Sequence, residues 1–128
     1  MKVLDTTFLV DLLRGKTEAI KIVKTKKPLL TTQMNMYEVI RGLFLKNVTS
    51  SKFIQVIEMF EDIRVLPLDD NSIIKSAEIS SELVKDGIII SDCDCMTAGI
   101  ALSKGINKIV TKNTEHFKRI KGIKVEGY

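Results

Sequence analysis

The sequence predicts an α/β fold, with a single domain built on a central, mostly parallel sheet and helices on both faces. Three observations carry this. Short apolar runs of strand character alternate with longer stretches of helical periodicity along the whole chain. The 128 residues fit one domain with one core. Apolar residues make up 45% of them, well above a disordered composition, and no repeat, low-complexity tract or flexible linker interrupts the pattern.

The elements follow in order. "KVLDT" (2–6) reads as a short buried strand, and "FLVDLLRG" as a helical turn or two closed by Gly15. "TEAIKIVKTK" (17–26) is an amphipathic helix with Ala19, Ile20 and Val23 apolar. "PLLTT" (28–32) is a strand opened by Pro28. "MNMYEVIRGLFLKN" (34–47) is a helix with Met36, Val39, Ile40 and Leu43 on one face, and "SSKFIQVIEMFEDI" (50–63) repeats that period at Phe53, Val56, Ile57 and Phe60. "RVLPL" (64–68) is a third strand, which Pro67 assigns to an edge or a strand end. "DDNSIIKSAEISSELVKDG" (69–87) starts on capping residues and stops at Gly87; "SDCDCMTAGIALSKG" (91–105) is a further helix stopped by Gly105. "NKIVTK" (107–112) is a strand and "KVEGY" (124–128) carries a last short one.

Right-handed crossovers place the carboxyl ends of parallel strands on one edge, and open α/β sheets bind ligands outside that edge. Several polar residues fall at junctions facing it. Asp5 closes the first strand, Glu38 lies early in the helix after the second, Asp94 lies in the first turn of the helix opened by Ser91, and Asn113 and Glu115 follow the fourth strand. Two of these acids also have a plain structural explanation. Ser91-Asp-Cys-Asp94 matches a capping box, and Glu38 can pair with Arg41 at i+3 on the surface. Helical spacing puts Asp94, Thr97, Ala98 and Ala101 on one small face, predicting that Asp94 points inward near Asp5 while Asp92 turns away. Converging carboxylates repel unless a cation sits between them, and a hard divalent ion with oxygen ligands resolves that conflict. Cys93 and Cys95, two thiols with one histidine in the whole chain and no CxxC, fall short of a zinc set and read as small buried groups. They are also too close in sequence for a disulfide framework.

The formal charge of +4 and pI of about 9.1 fit a polyanion partner as well as an ordinary solvated surface. No apolar run approaches the roughly 18–20 residues of a membrane span, and the N-terminus lacks a signal-peptide pattern, so the expectation is a cytoplasmic protein with no membrane contact.

Taken together, these residues resemble a known family. "VLDTTFLVDLLRG" is similar to the opening of PIN domains, where an aspartate ends the first strand before small hydroxyl residues. "NMYEVIRG" resembles their second motif, "SDCDCMTAGIAL" their third, and "IVTKNTEHFKRIKGIKV" their closing motif. The resemblance spans nearly the whole chain, residues 1–128 reading as one PIN-like nuclease domain, and is greatest to single-domain VapC-type toxins. It implies a metal-dependent ribonuclease that uses Mg2+ or Mn2+, acts on single-stranded RNA, forms a homodimer and is inhibited by a small antitoxin. Carried over by position, Asp5, Glu38 and Asp94 are the implied catalytic and metal-binding acids. Thr7 and Thr111 are implied to orient them, and Asn113 takes the fourth polar position. The chain departs from the family there, since that position is often acidic; Glu115, two residues on, is one substitute, and Asp92, which helix geometry turns away from Asp94, is the alternative partial compensation. His116 stands where family members commonly have an acid before the Phe, either as a proton shuttle or as a surface residue. Lys112, Lys118, Arg119 and Lys121 are the expected guides for the phosphate backbone. "FIQVIEMF" is either core or a dimer or partner surface. The competing expectation, favoured by the uncharged Asn113, is a catalytically silent PIN-like module that binds RNA or a protein.

Overall fold

A computed structural model describes residues 1–25 and 28–128. Its elements run β1 (Lys2–Leu4), α1 (Thr6–Leu13), α2 (Thr17–Thr25), β2 (Leu30–Thr32), α3 (Gln33–Leu45), α4 (Ser50–Glu61), β3 (Arg64–Leu66), α5 (Asp70–Lys85), α6 (Asp92–Ser103), β4 (Lys108–Val110), α7 (Thr114–Lys118) and β5 (Lys124–Glu126). The strands form one sheet in the order β3-β2-β1-β4-β5, and every pairing is parallel. The expected fold class is therefore the observed one, and β3, with Pro67 just beyond its end, is an edge strand. Strand order reverses between β1 and β4, which makes the gap beyond their carboxyl ends the switch point where such sheets take ligands.

Strand alternation divides the core between the two faces. Val3 and Ile109 point into one cluster with Leu66, Ile79, Ala98, Ala101 and Phe117. Their neighbours Leu4 and Val110 point into the other, with Phe8, Leu9, Val39, Val56 and Phe60. Helices α5, α6 and α7 thus cover one face and α1 to α4 the other. The α5–α6 contact is close because of one residue. A Cβ on Gly99 would lie 2.0 Å from the Ser76 hydroxyl oxygen and 2.8 Å from its backbone nitrogen, so only glycine fits.

Differences from the sequence reading are local. Each strand has three residues, since only the registered pairs bond across the sheet. Asp5 and Thr6 therefore leave β1 and begin α1, a full helix through Leu13. Residues 114–118, within the closing motif and given no element in the sequence reading, form α7. Lys26, the predicted end of the second helix, lies outside the described residues. In "FIQVIEMF" Val56 and Phe60 are buried and Phe53 packs on Phe44 with ring centroids 5.3 Å apart, so most of that apolar face is core, and Ile54 is the apolar side chain of the segment that is openly exposed. Among the described residues no helix is long and apolar enough to cross a membrane.

One buried acid on α1 has no counterpart in the motifs. Asp11 accepts a hydrogen bond from the Tyr128 hydroxyl at 2.8 Å and lies 2.8 Å from the Lys112 ammonium, which also sits 5.4 Å over the Tyr128 ring. Tyr128 in turn stands edge-on to the fully buried Phe8. This clasp joins the segment after β4 and the residue after β5 to α1. The Lys112 and Tyr128 hydrogen bonds hold the Asp11 carboxyl below its ordinary range. A depressed folded-state value means stability that is present above the unfolded value, about pH 4, and lost as pH falls through the folded one. Asp11→Asn is accordingly expected to cost about 1–2 kcal/mol near neutrality. The gap to wild type should close below about pH 4, as measured by thermal denaturation across pH.

Candidate active site

The switch point is lined by polar side chains from five segments. Asp5 occupies the N-cap position of α1, yet its side chain makes no capping bond. It is buried, at 2% exposure, and its two oxygens are taken up elsewhere. Oδ1 accepts from the Asn35 amide at 3.0 Å, and Oδ2 accepts from the Thr111 hydroxyl at 2.7 Å. Both donors are neutral. Burial is the main reason the Asp5 carboxyl is pushed up; the Thr111 bond opposes this and the negative Asp94 adds to it.

Thr111 can make that bond because its other contacts are met in a fixed order. Its oxygen accepts from the backbone N–H of Asn113 at 2.9 Å and shares a hydrogen bond of 3.2 Å with Thr7. Thr7 accepts from the backbone N–H of Lys112 at 3.0 Å and approaches Asp5 Oδ2 at 3.4 Å. The two threonines expected to orient the acids therefore do so unequally: Thr111 bonds Asp5 strongly, and Thr7 chiefly pins the turn after β4 to α1.

Glu38 lies in the second turn of α3 and is half-buried. It does not pair with Arg41 at bonding distance; its Oε1 accepts from the Thr6 hydroxyl at 2.7 Å. Burial pushes its carboxyl up, and Asp5 and Asp94 push it further, against Thr6 and Arg41. Asp94 is the third residue of α6, at 7% exposure. Ser91 does cap this helix, accepting from the Asp94 backbone N–H at 3.2 Å, but the Asp94 carboxylate is not spent on the reciprocal half of a capping box. Its Oδ2 lies 3.0 Å from His116 Nδ1. The inward face of Asp94, Thr97, Ala98 and Ala101 is buried as predicted, and Asp92 is exposed.

Three contributors escaped the sequence reading. Asn35 is fully buried: Thr32 donates to its carbonyl oxygen at 2.6 Å, and its amide donates to Asp5 and, at 3.1 Å, to Thr6. Thr32, Asn35 and Thr6 thus link the Asp5 and Glu38 carboxylates through one neutral chain of hydrogen bonds. The available signal was Asn35 three residues before Glu38, hence on the same helical face. His116, read from sequence as either a proton shuttle or a surface residue, is placed by α7 against Asp94.

Other expected residues fall outside the cluster. Glu115 is exposed and pairs with Lys118 at 3.5 Å, so it does not stand in for an acid at position 113. Asn113 is the N-cap of α7 without a side-chain capping bond. The Lys112 ammonium belongs to the Asp11 clasp, and Lys121 lines a hollow with Glu78, Glu82 and Leu102, beside the far end of α6 from Asp94. Arg119 is exposed beyond α7. Cys95 is buried and Cys93 partly so, and burial with the nearby carboxylates pushes both thiols up, keeping them protonated rather than metal-binding.

Among the described residues no three His, Cys, Asp or Glu side chains stand together as a complete metal-ligand set. The donor chemistry nevertheless suits a hard divalent ion, which takes one or two carboxylates and keeps several waters. The acids are oxygen donors, and two of them have their charge raised in energy by burial and by their neighbours.

Comparison with known proteins agrees with this fold. The family model described as PIN domain matches residues 2–123. A Salmonella typhimurium protein named tRNA(fMet)-specific endonuclease VapC is 30% identical over 98% of this chain and 96% of its own length. The crystal structure of DNA-bound VapBC from Salmonella typhimurium superposes with a TM-score of 0.85 at 29% identity, covering 98% of this chain and 96% of that one. At 19% identity, the VapBC2 structure from Rickettsia felis, bound to a promoter DNA fragment, shares the fold with a TM-score of 0.85 over 99% and 98% of the two chains.

The Asp5 carboxyl supplies a test of the site's electrostatics. A raised folded-state value means that ionisation costs stability once pH exceeds the unfolded value of about 4, fully so above the folded one. Asp5→Asn, in which the Thr111 hydroxyl can turn to accept, is expected to raise the Tm of protein in EDTA by a few degrees at pH 7. The gain should vanish below about pH 4. A lower Tm at pH 7 would mean that the hydrogen bonds to the charge outweigh its burial.

Proposed function

We propose that this chain, which belongs to the PIN domain family, is a divalent-metal-dependent endoribonuclease that cleaves single-stranded RNA as the toxin of a toxin–antitoxin pair. The observation that carries the reading is the convergence of Asp5, Glu38 and Asp94, from three separate segments, on the switch point of the sheet. Asp5 is buried there against neutral donors alone. The whole of residues 1–128 acts as one nuclease domain in this reading, in the cytoplasm.

Asp5 and Asp94 would hold a Mg2+ or Mn2+ ion, with Glu38 binding directly or through water. Bound there, the ion supplies an activated water and stabilises the charge that develops on the phosphodiester. The protein's own part is positional. Asn35 and Thr111 fix both oxygens of Asp5, so its lone pairs keep one orientation. Thr6 fixes Glu38, and the Ser91 cap sets the first turn of α6 and with it Asp94. These neutral donors hold the carboxylates without cancelling their charge, which leaves that charge available to a cation. A phosphate backbone reaching this recess would meet Arg119 and Lys118 at the end of α7, with Lys112, paired with Asp11 but half-exposed, beside the Thr111 segment; Lys121 lines a hollow beside the far end of α6.

The neighbours support the partner assignment, since a superposed structure from Mycobacterium tuberculosis is described as a member of the VapBC family of toxin-antitoxin systems. The surface we assign to a small antitoxin or a second copy lies on α3, where Tyr37, Phe44 and Leu45 are exposed beside Met36 and Ile40. The Salmonella relative's name makes tRNA(fMet) the natural second substrate to test after a single-stranded RNA.

Labelled RNA incubated with Mg2+ or Mn2+ is expected to be cut, and EDTA or Asp94→Asn to reduce the rate at least about 100-fold, the scale at which a catalytic metal ligand acts. RNA binding that survives in the mutant, with no cleavage by wild type, would replace this reading with a silent binding module, the alternative that the neutral Asn113 favours. In the same assays, log affinity should fall with log salt, and Arg119→Ala should flatten the slope by about 0.7 if Arg119 contacts one phosphate of a single strand. An unchanged slope would remove Arg119 from the RNA path.

A further inference from the structure

We propose that His116 is a metal ligand in partnership with Asp94, and that this imidazole tunes the site toward a first-row transition ion such as Mn2+ over Mg2+. The proposal rests on the metal-dependent reading above and deepens it by naming the ion and a nitrogen donor. His116 Nδ1 lies 3.0 Å from Asp94 Oδ2. Two cis ligands each about 2.1 Å from one octahedral ion stand about 3.0 Å apart, so the pair already has the spacing of one edge of a coordination shell.

The surroundings favour a ligand over a purely structural partner. Asp94 is nearly buried, while the His116 side chain remains 47% exposed, so the pair sits at the mouth of the recess where an ion and its waters can enter. His116 comes from α7, directly after the Thr111 segment that fixes Asp5, so β4 and its following turn bring the imidazole and the Asp5 donor to the same side of the sheet. Nearby thiols are protonated and compete poorly for the ion. In the ligating tautomer Nδ1 carries the lone pair and Nε2 carries the proton, which the exposed side chain offers to water. Mg2+ gains little from an imidazole in place of oxygen, whereas transition ions accept a mixed nitrogen and oxygen set.

The test is spectroscopic and needs no substrate. Mn2+ is added to wild type, His116→Gln, His116→Asp and Asp94→Asn, each checked for native circular dichroism. Affinities for Mn2+ and Mg2+ are measured by calorimetry, and ligand nitrogen is detected by electron spin-echo envelope modulation. Wild type is expected to show coupling of Mn2+ to a directly bound 14N that disappears in His116→Gln, with Mn2+ affinity falling about 10-fold and Mg2+ affinity within twofold. His116→Asp, which returns an oxygen donor, should narrow the preference for Mn2+. Mn2+ binding that is lost in Asp94→Asn but shows no nitrogen coupling in wild type would overturn the proposal and leave the metal site standing. Binding insensitive to both Asp94→Asn and His116→Gln would overturn the proposal and the metal site together.

Discussion

The structure turns on one buried charge. Asp5 sits at the end of the central strand, where the order of the sheet reverses, and its two oxygens are held by Asn35 and Thr111. Neither partner is a cation. The contrast with Asp11, less than two turns further along α1, shows what a cation would have done. There the Lys112 ammonium and the Tyr128 hydroxyl satisfy the carboxylate and hold its pKa down, producing a closed structural clasp. At Asp5 burial dominates and pushes the carboxyl up. A carboxylate ordered in direction but unneutralised is poised for a positive ligand from outside the chain.

The cost of such a site is met by complete hydrogen bonding around it. Among the described residues, no buried side-chain nitrogen or oxygen lacks a partner. Thr32, Asn35 and Thr6 on one side and Thr7 and Thr111 on the other form two neutral hydrogen-bonded groups that meet at the Asp5 carboxylate. Such a network fixes geometry without adding charge, and partial loss leaves buried groups unpaired. It also ties α1, α3 and the turn after β4 together, so the elements that present the acids cannot shift independently. Close packing of α6 on α5 at Gly99 and Ser76 gives Asp94 a comparably firm base.

The order of elements was legible because hydrophobic period and punctuation agree at nearly every step: Gly15, Gly87 and Gly105, all at positive φ, end their helices where the sequence placed the stops. The length of strands was not, since "KVLDT" and "NKIVTK" carry strand residues on both sides of a three-residue pairing window, and only neighbouring strands decide where pairing stops. The acids at positions 5, 38 and 94 could be named from their junctions. The role of Asn35 could not, because a polar residue on a helix face gains meaning only when a second element, here the Asp5–Thr6 turn, arrives opposite it. The engagements of Lys112 and Lys121 were not legible for the same reason. A lysine in a basic tail is indistinguishable in sequence from one already bound to a buried carboxylate 101 positions away, as Lys112 is to Asp11.

The sequence by itself determined the parallel α/β class, the succession of helices and strands, and which acids stand as candidates at element junctions. These depend on local periodicity, turn chemistry and the handedness of crossovers, which are properties of contiguous residues. Only the tertiary structure decided which charges are neutralised and which are left open. That distinction rests on contacts between Asp5 and Thr111, Asp11 and Tyr128, and Asp94 and His116, groups up to 117 positions apart in the chain. Electrostatic energies depend on distance and burial in space, so the same residue types at the same positions acquire opposite roles once the fold chooses their neighbours.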